Sequence, residues 1–310
     1  MKYYLGVACM FRDESKWLRE WIEYHRLIGV EKFYLFDHLS SDNPEQVISD
    51  YISQGIVTLE RITEDVGGQF MELAITTYNR AVGMAKNECR WLALLDSDEF
   101  INPKSTSTLP SLLKDFEGYG GLVMNWQMFG TSNIEEVPSD QTMIERLQLR
   151  GLRTLGHNQH VKSIVQPLRV TKTVLHFSYY TEGFYAVNAD HERVDGPFDP
   201  RIRVDKIQLN HYFCRDEKFL REVKIPRRAG LGVGSEIMEQ WNQSMNVEVD
   251  DSIQRFVGAL RARLGLPVVF DWEEYSLQYP NAQLTTREQA FEHWHVKGRF
   301  VEARERLSSS

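Results

Sequence analysis

Arg90-Trp91-Leu92-Ala93-Leu94-Leu95-Asp96-Ser97-Asp98-Glu99-Phe100 is an apolar run that breaks off at three carboxylates. Residues 91–95 predict a strand buried on both faces, since no polar residue alternates through them. Carboxylates crowded at the end of such a strand resist joint ionisation, so they are costly without a counter-charge. A divalent cation removes that cost. Oxygen ligands suit Mg²⁺ or Mn²⁺, which keep waters and bridge phosphates.

The segments before this run alternate strand and helix patterns. Residues 3–10 form a short apolar run. A helix follows, with Asp13 as N-cap, an apolar face of Trp17, Leu18, Trp21, Ile22, His25 and Ile28, and Gly29 as its C′ residue. Residues 32–36 predict a strand ending at Asp37. Pro44 opens a second helix that turns Val47, Ile48, Tyr51 and Ile52 inward and stops at Gly55. Residues 56–62 predict a third strand, 69–87 a third helix and 91–95 the fourth strand. Apolar strands separated by amphipathic helices imply an α/β fold, a mostly parallel sheet covered by helices on both faces. Ligands of such sheets bind beyond the carboxyl ends of the strands. Arg12 and Asp13, Asp37 and His38, and Asp96 and Asp98 are therefore expected on one rim.

The second half is less regular. Strands are expected at 121–129, 161–165, 173–179 and 206–213, and helices at 143–149, 215–223, 250–264 and 286–307. This divides the chain into residues 1–228, carrying the sheet, and a helical extension, 229–310. The net charge of −8 argues against bulk nucleic acid or an anionic membrane as the main partner, because both reward clustered Lys and Arg. Cys9, Cys89 and Cys214 are odd in number and far apart, which fits buried thiols in a reducing cytoplasm. The first residues lack a signal-peptide pattern, and no run reaches the about 20 apolar residues of a membrane span. The expectation is a cytoplasmic protein without a transmembrane segment, peripheral at a membrane if it meets one.

His211, within Leu209-Asn210-His211-Tyr212-Phe213, can complete a metal site with Asp96 and Asp98, whereas His176 reads as structural. His157 and His160 lie three apart but have no Cys or carboxylate nearby, so zinc is rejected. Lys162, Arg169, Lys224, Arg227 and Arg228 are the cations that could face a diphosphate.

Met10-Phe11-Arg12-Asp13-Glu14, Leu18-Arg19-Glu20-Trp21-Ile22-Glu23-Tyr24-His25, Gly29 through Asp37 and the Asp96-Ser97-Asp98 run follow one another in register. Trp126-Gln127-Met128-Phe129-Gly130, Ile144-Glu145-Arg146, Lys162 through Pro167 and Asn210-His211-Tyr212 continue the series. Over residues 5 to 225 this sequence resembles family 92 and related family 2 glycosyltransferases. The resemblance implies a GT-A-type, Rossmann-like sheet with a mixed acceptor-side half. It implies metal-dependent, inverting transfer from a UDP- or GDP-sugar to a glycan or lipid-linked glycan. Asp98 and His211 would bind Mn²⁺ or Mg²⁺, and Asp96 the ribose or a metal-bound water. Arg12, Glu14 and Asp37 would line the nucleotide pocket, and Lys162 would approach the diphosphate. An inverting base would be a carboxylate, with Glu145, Glu182, Asp190 and Asp195 as candidates. His38 departs from the pattern, standing where Asn is more usual.

Two other readings share these features. A haloacid dehalogenase-type phosphatase also places Asp-x-Asp after a strand, but there the first strand carries it. A non-catalytic carbohydrate- or nucleotide-sugar-binding protein could keep the same fold.

Overall fold

A computed structural model of the chain describes residues 1–64, 70–267, 285, 286 and 289. Met1–Leu266 form one compact unit and Pro267–Ser310 a second. The expected division at residue 228 falls inside the first unit. Its last helix, Val257–Leu264, buries Leu260 in the main core, and Phe256 just before it meets the ring of Tyr24 edge-on at 5.6 Å. Nearly all of the helix expected over 286–307 lies outside the described residues.

Strands β1 (Tyr3–Phe11), β2 (Lys32–His38), β3 (Val57–Ile62) and β4 (Cys89–Leu94) are parallel and lie in the order β3-β2-β1-β4. Period-2 alternation divides β1 between two cores. Leu5, Val7 and Cys9 pack with Trp17, Leu18, Trp21 and Ile22 of helix α1 (Ser15–Leu27). Ala8 and Met10 pack on the other side with Ala74, Tyr78, Ala81 and Ala85 of the helix Phe70–Ala85. Helices thus cover both faces, as the continuous apolar strands require. Gly6 lets β1 approach β4, since a Cβ there would lie 2.9 Å from Cys89 Sγ.

Beyond β4 the sheet becomes mixed. The strand Val161–Val165 runs antiparallel between β4 and β6 (Gly121–Met128), while β5 (Glu99–Asn102) pairs antiparallel with Gln208–His211, itself parallel to β6.

Several local expectations differ. Asp13 is not the N-cap of α1. Glu14 holds that position without a side-chain cap bond, and Asp13 adopts a left-handed φ of 53° while accepting the Ser41 N–H at 2.7 Å. The helix from Pro44 is two short ones, Pro44–Val47 and Ser49–Ser53. The strand expected over 173–179 is a hairpin, Val170–Thr173 with Ser178–Tyr180, and His176 lies in its turn. The helix over 215–223 is a short α-helix, Glu217–Phe219, a wide π-helical turn, Leu220–Lys224, and a second α-helix, Ile225–Ala229. Pro226 accounts for the widening, because it donates no N–H and its ring crowds the preceding turn.

Glu20 of α1 is a buried carboxyl that accepts the N–H groups of Met143 (2.8 Å) and Ile144 (3.0 Å). Burial pushes it up to about 7, against those bonds and the nearby Arg215 charge. The folded chain therefore holds this proton more tightly than the unfolded chain. The resulting stability is complete below the ordinary value of 4.5 and is lost as pH rises through about 7. Melting temperature should fall across that window, and Glu20→Gln should flatten the fall. Parallel wild-type and Glu20→Gln curves in thermal melts over a pH series would contradict this.

Candidate functional site

Strand registers assemble the site. β4 ends at Leu94, so Asp96 emerges beyond the carboxyl end of that strand, one step in register from the Phe11–Asp37 pair near the ends of β1 and β2. Lys162 lies opposite Met124, and His211 is paired with Glu99. Trp126 donates its indole N–H to Glu99 Oε1 at 2.6 Å, and the Asp96 N–H bonds Glu99 Oε2 at 2.8 Å. Glu99 is wholly enclosed, and burial pushes its carboxyl up to about 8 despite Lys162.

Lys162 is the buried base of this cluster. Its ammonium is 2.8 Å from Asp96 Oδ2 and 3.6 Å from Glu99 Oε2. The lysine side chain is 2% exposed, whereas that of Asp96 is 44% exposed, so the lysine holds the aspartate from below while its carboxylate faces the opening. Tyr78 adds a hydroxyl donor 3.2 Å from Asp96 Oδ1. Burial raises Asp96, and Lys162 outweighs that and draws its pKa down.

Asp98 has its own cations. His211 Nε2 lies 3.3 Å from Oδ1, and the Lys224 ammonium 3.0 Å from Oδ2. Burial opposes ionisation, but Lys224, His211 and Arg215 together hold the carboxyl well below its usual range. Arg215 is fully buried, pairs with Glu14 and donates to Ser97 O at 3.3 Å, which ties the start of α1 to the acidic turn. Burial pushes Glu14 up to about 7 against the Arg215 charge.

The charge cost for which a divalent cation was expected is met in part by Lys162, Lys224 and Arg215. Lys224 was legible as a candidate cation. Arg215 was not singled out, although an Arg directly after Tyr212-Phe213-Cys214 was the available signal.

The other expected positions divide by place. Arg12 is exposed on the rim beside Asp13, and Arg227 reaches both Asp13 (3.2 Å) and Arg12 O (3.0 Å). Asp37 is buried and accepts the Ser40 N–H at 3.1 Å, shaping the loop after β2. Arg169 instead bonds Glu117 O and Tyr119 O, at the opposite end of the sheet. Glu182 follows Thr181, whose N–H bonds Arg169 O at 2.8 Å, so it lies at that same far end. Glu145 caps the helix Met143–Arg146 and pairs with Arg261 at 2.6 Å. Asp190 pairs with Arg203 and Lys206, and Asp195 with Arg193. None of these four carboxylates contacts Asp96 or Asp98.

Residues 2–194 match the family model described as Glycosyltransferase family 92. The chain belongs to glycosyltransferase family 92. A family 92 protein of Ricinus communis is 28% identical over 191 residues, taking in 59% of this chain and 33% of that protein. One from Oryza sativa subsp. japonica is 26% identical over 193 residues, with 59% and 30% covered. The matched part of this family 92 chain therefore spans about a third of these curated relatives. Among solved structures, S. aureus TarS 1-349 in complex with UDP-GlcNAc has a TM-score of 0.37 at 14% identity, covering 95% of this chain and 92% of that one. Glucosyl-3-phosphoglycerate synthase from Mycobacterium tuberculosis, in complex with Mn²⁺, UDP-Glc and phosphoglyceric acid, reaches 0.26 at 14% identity, covering 39% and 42%. Likenesses this faint say nothing about what the family 92 chain binds. Family membership leaves the phosphatase reading without support.

The family 92 match includes Asp96, Asp98 and Lys162 but stops short of His211, Arg215 and Lys224. Those three complete the cluster from the C-terminal side. They also bear on whether a divalent cation fits. Two cis ligands of an octahedral Mg²⁺ or Mn²⁺ lie about 3 Å apart when each bond is about 2.1 Å. Asp98 Oδ1 and His211 Nε2 are 3.3 Å apart. The pair fits as two ligands. Among the described residues no group of three or more His, Cys, Asp or Glu forms a cage, so the remaining ligands would be waters or phosphate oxygens.

Proposed function

We propose that this chain transfers a sugar from a UDP- or GDP-sugar to a glycan or lipid-linked glycan, with inversion, using Mn²⁺ or Mg²⁺ held by Asp98 and His211. The observation that carries the reading is the meeting of Asp96, Asp98, Lys162, His211 and Lys224 beyond the strand ends of a family 92 chain. When bound, the cation would supply Lewis-acid charge at the leaving diphosphate.

The chain's own residues do the positioning. Asp98 and His211 fix the cation side, and Arg215 holds the acidic turn through Ser97 O. Asp96, oriented by Lys162 and Tyr78, offers a carboxylate oxygen to a ribose or sugar hydroxyl. Arg12 and Asp37 border the nucleotide, while Glu14 acts through Arg215. Lys224 leaves Asp98 for a phosphate oxygen as the donor arrives, so one ammonium serves both states. A cytoplasmic setting is part of the proposal, supported by three free buried cysteines. No helix among the described residues is long and apolar enough to cross a membrane.

A thermal-shift screen of nucleotide-sugars with Mn²⁺ tests this. One donor should raise the melting temperature only with metal; no shift with any donor would favour a non-catalytic scaffold. Lys224 gives a second test. Its charge stands against any cation approaching Asp98. Lys224→Met should bind Mn²⁺ alone at least about 10-fold more tightly and UDP with Mn²⁺ more weakly. Unchanged Mn²⁺ affinity by titration calorimetry would count against the exchange of cations at Asp98.

A further inference from the structure

On the other side of the Leu220–Lys224 turn lies a cleft of about 450 Å³, within the size range of small-molecule sites. Its floor is built. Thr131 Oγ1 donates to Glu217 Oε1 at 2.5 Å, and the Asn242 and Asn246 side-chain amides each donate to Thr131 Oγ1 at 3.1 Å. The Thr131 N–H bonds Asn242 Oδ1 at 2.9 Å, and the Ser132 N–H bonds Asn246 Oδ1 at 2.8 Å. This network fixes the Glu217 carboxylate at the cleft while its Oε2 makes no hydrogen bond among the described residues.

The rim is unengaged. Asn133, Gln243 and Glu239 line the opening, and their side chains make no hydrogen bond or ion pair among the described residues. Ser132 and Asn133 both take left-handed backbone, with φ of 53° and 57°. Consecutive non-glycine residues in that region are strained, and such strain gathers at ligand sites.

The donor and acceptor inventory selects the ligand. A carboxamide both donates and accepts, which matches a hydroxyl, and a carboxylate adds a strong acceptor. Ile225, half-buried at the lining, supplies apolar surface suited to the C–H face of a sugar ring, and buried Leu220 backs it. Glu217 and Glu239 leave the lining acidic, because Arg221 is already paired with Glu135. That disfavours anionic saccharides. We propose that this cleft binds a neutral oligosaccharide as a remote part of the acceptor. In calling the occupant an acceptor, this rests on the transferase reading. Leu220 and Ile225 flank Lys224, so the cleft and the Asp98 cluster share one helical segment.

The test uses the full chain and β-1,4-linked tetrasaccharides of glucose, N-acetylglucosamine, mannose and xylose, with tri-galacturonate as the anionic control, followed by saturation-transfer NMR. At least one neutral tetrasaccharide should bind at millimolar concentration, and tri-galacturonate should not. N133G, which suits the left-handed backbone, and Q243A on the exposed helix face should each weaken binding by about 10-fold. UDP binding with Mn²⁺ should be unchanged in both variants. Absence of neutral saccharide binding, binding insensitive to both variants, or equal binding of tri-galacturonate would overturn the proposal. Loss of UDP binding in the wild-type chain would instead strike the donor site, and the saccharide result would still judge the cleft.

Discussion

Asp98→Asn should lower metal-dependent sugar transfer by about 10³-fold, the scale for removing a group that stabilises charge in the transition state. The substitution keeps the shape of the side chain and removes the charge that gathers His211 Nε2 and Lys224 Nζ. Lys224 is 14% exposed and its ammonium can turn to water, so the fold should survive. The measurement is turnover of whichever nucleotide-sugar the wild-type chain accepts, with a thermal melt on the same preparation. Activity should collapse while the melting temperature moves little. Full activity in a folded Asp98→Asn protein would contradict the site.

Lys162→Met should act in the opposite way, on stability first. Its ammonium is enclosed between Asp96 and Glu99, and removing one partner of a buried ion pair costs roughly 3–5 kcal/mol. Asp96 is partly open to water and can regain hydration, which places the expected loss near the lower bound, about 3 kcal/mol. For a unit of this size that is a drop of roughly 6–12 °C in melting temperature. Asp96→Asn in the same chain should restore part of the loss, since the carboxylate left beside the lost ammonium is then neutral. A single variant that melts with the wild type would show that Lys162 does not carry this compensation.

The parallel half of the fold was legible because its signals are local. β1, β2 and β4 are nearly unbroken apolar runs, and α1 buries Trp17, Leu18, Trp21, Ile22 and His25 as its periodicity requires. Their common rim followed from the rule for strand ends. The compensation of the carboxylates was not legible, because it depends on long-range register. Lys162 reaches Asp96 only because its strand runs antiparallel to β4, and Lys224 reaches Asp98 only because Pro226 follows a widened turn. Charge crowding was read correctly as costly, yet a lysine removes part of that cost as a cation does. Asp13 misled for a different reason. A short acidic residue before a helix suits an N-cap, but its capacity for left-handed backbone serves the contact with Ser41 instead.

The most direct test of the donor site is UDP binding measured by titration calorimetry, with and without Mn²⁺, in the wild-type, Asp98→Ala and His211→Ala chains. A cation held by Asp98 and His211 predicts UDP binding that strengthens by at least about 10-fold with Mn²⁺ in the wild type and loses that gain in both variants. Mn²⁺-dependent UDP binding that persists undiminished in folded Asp98→Ala would contradict it.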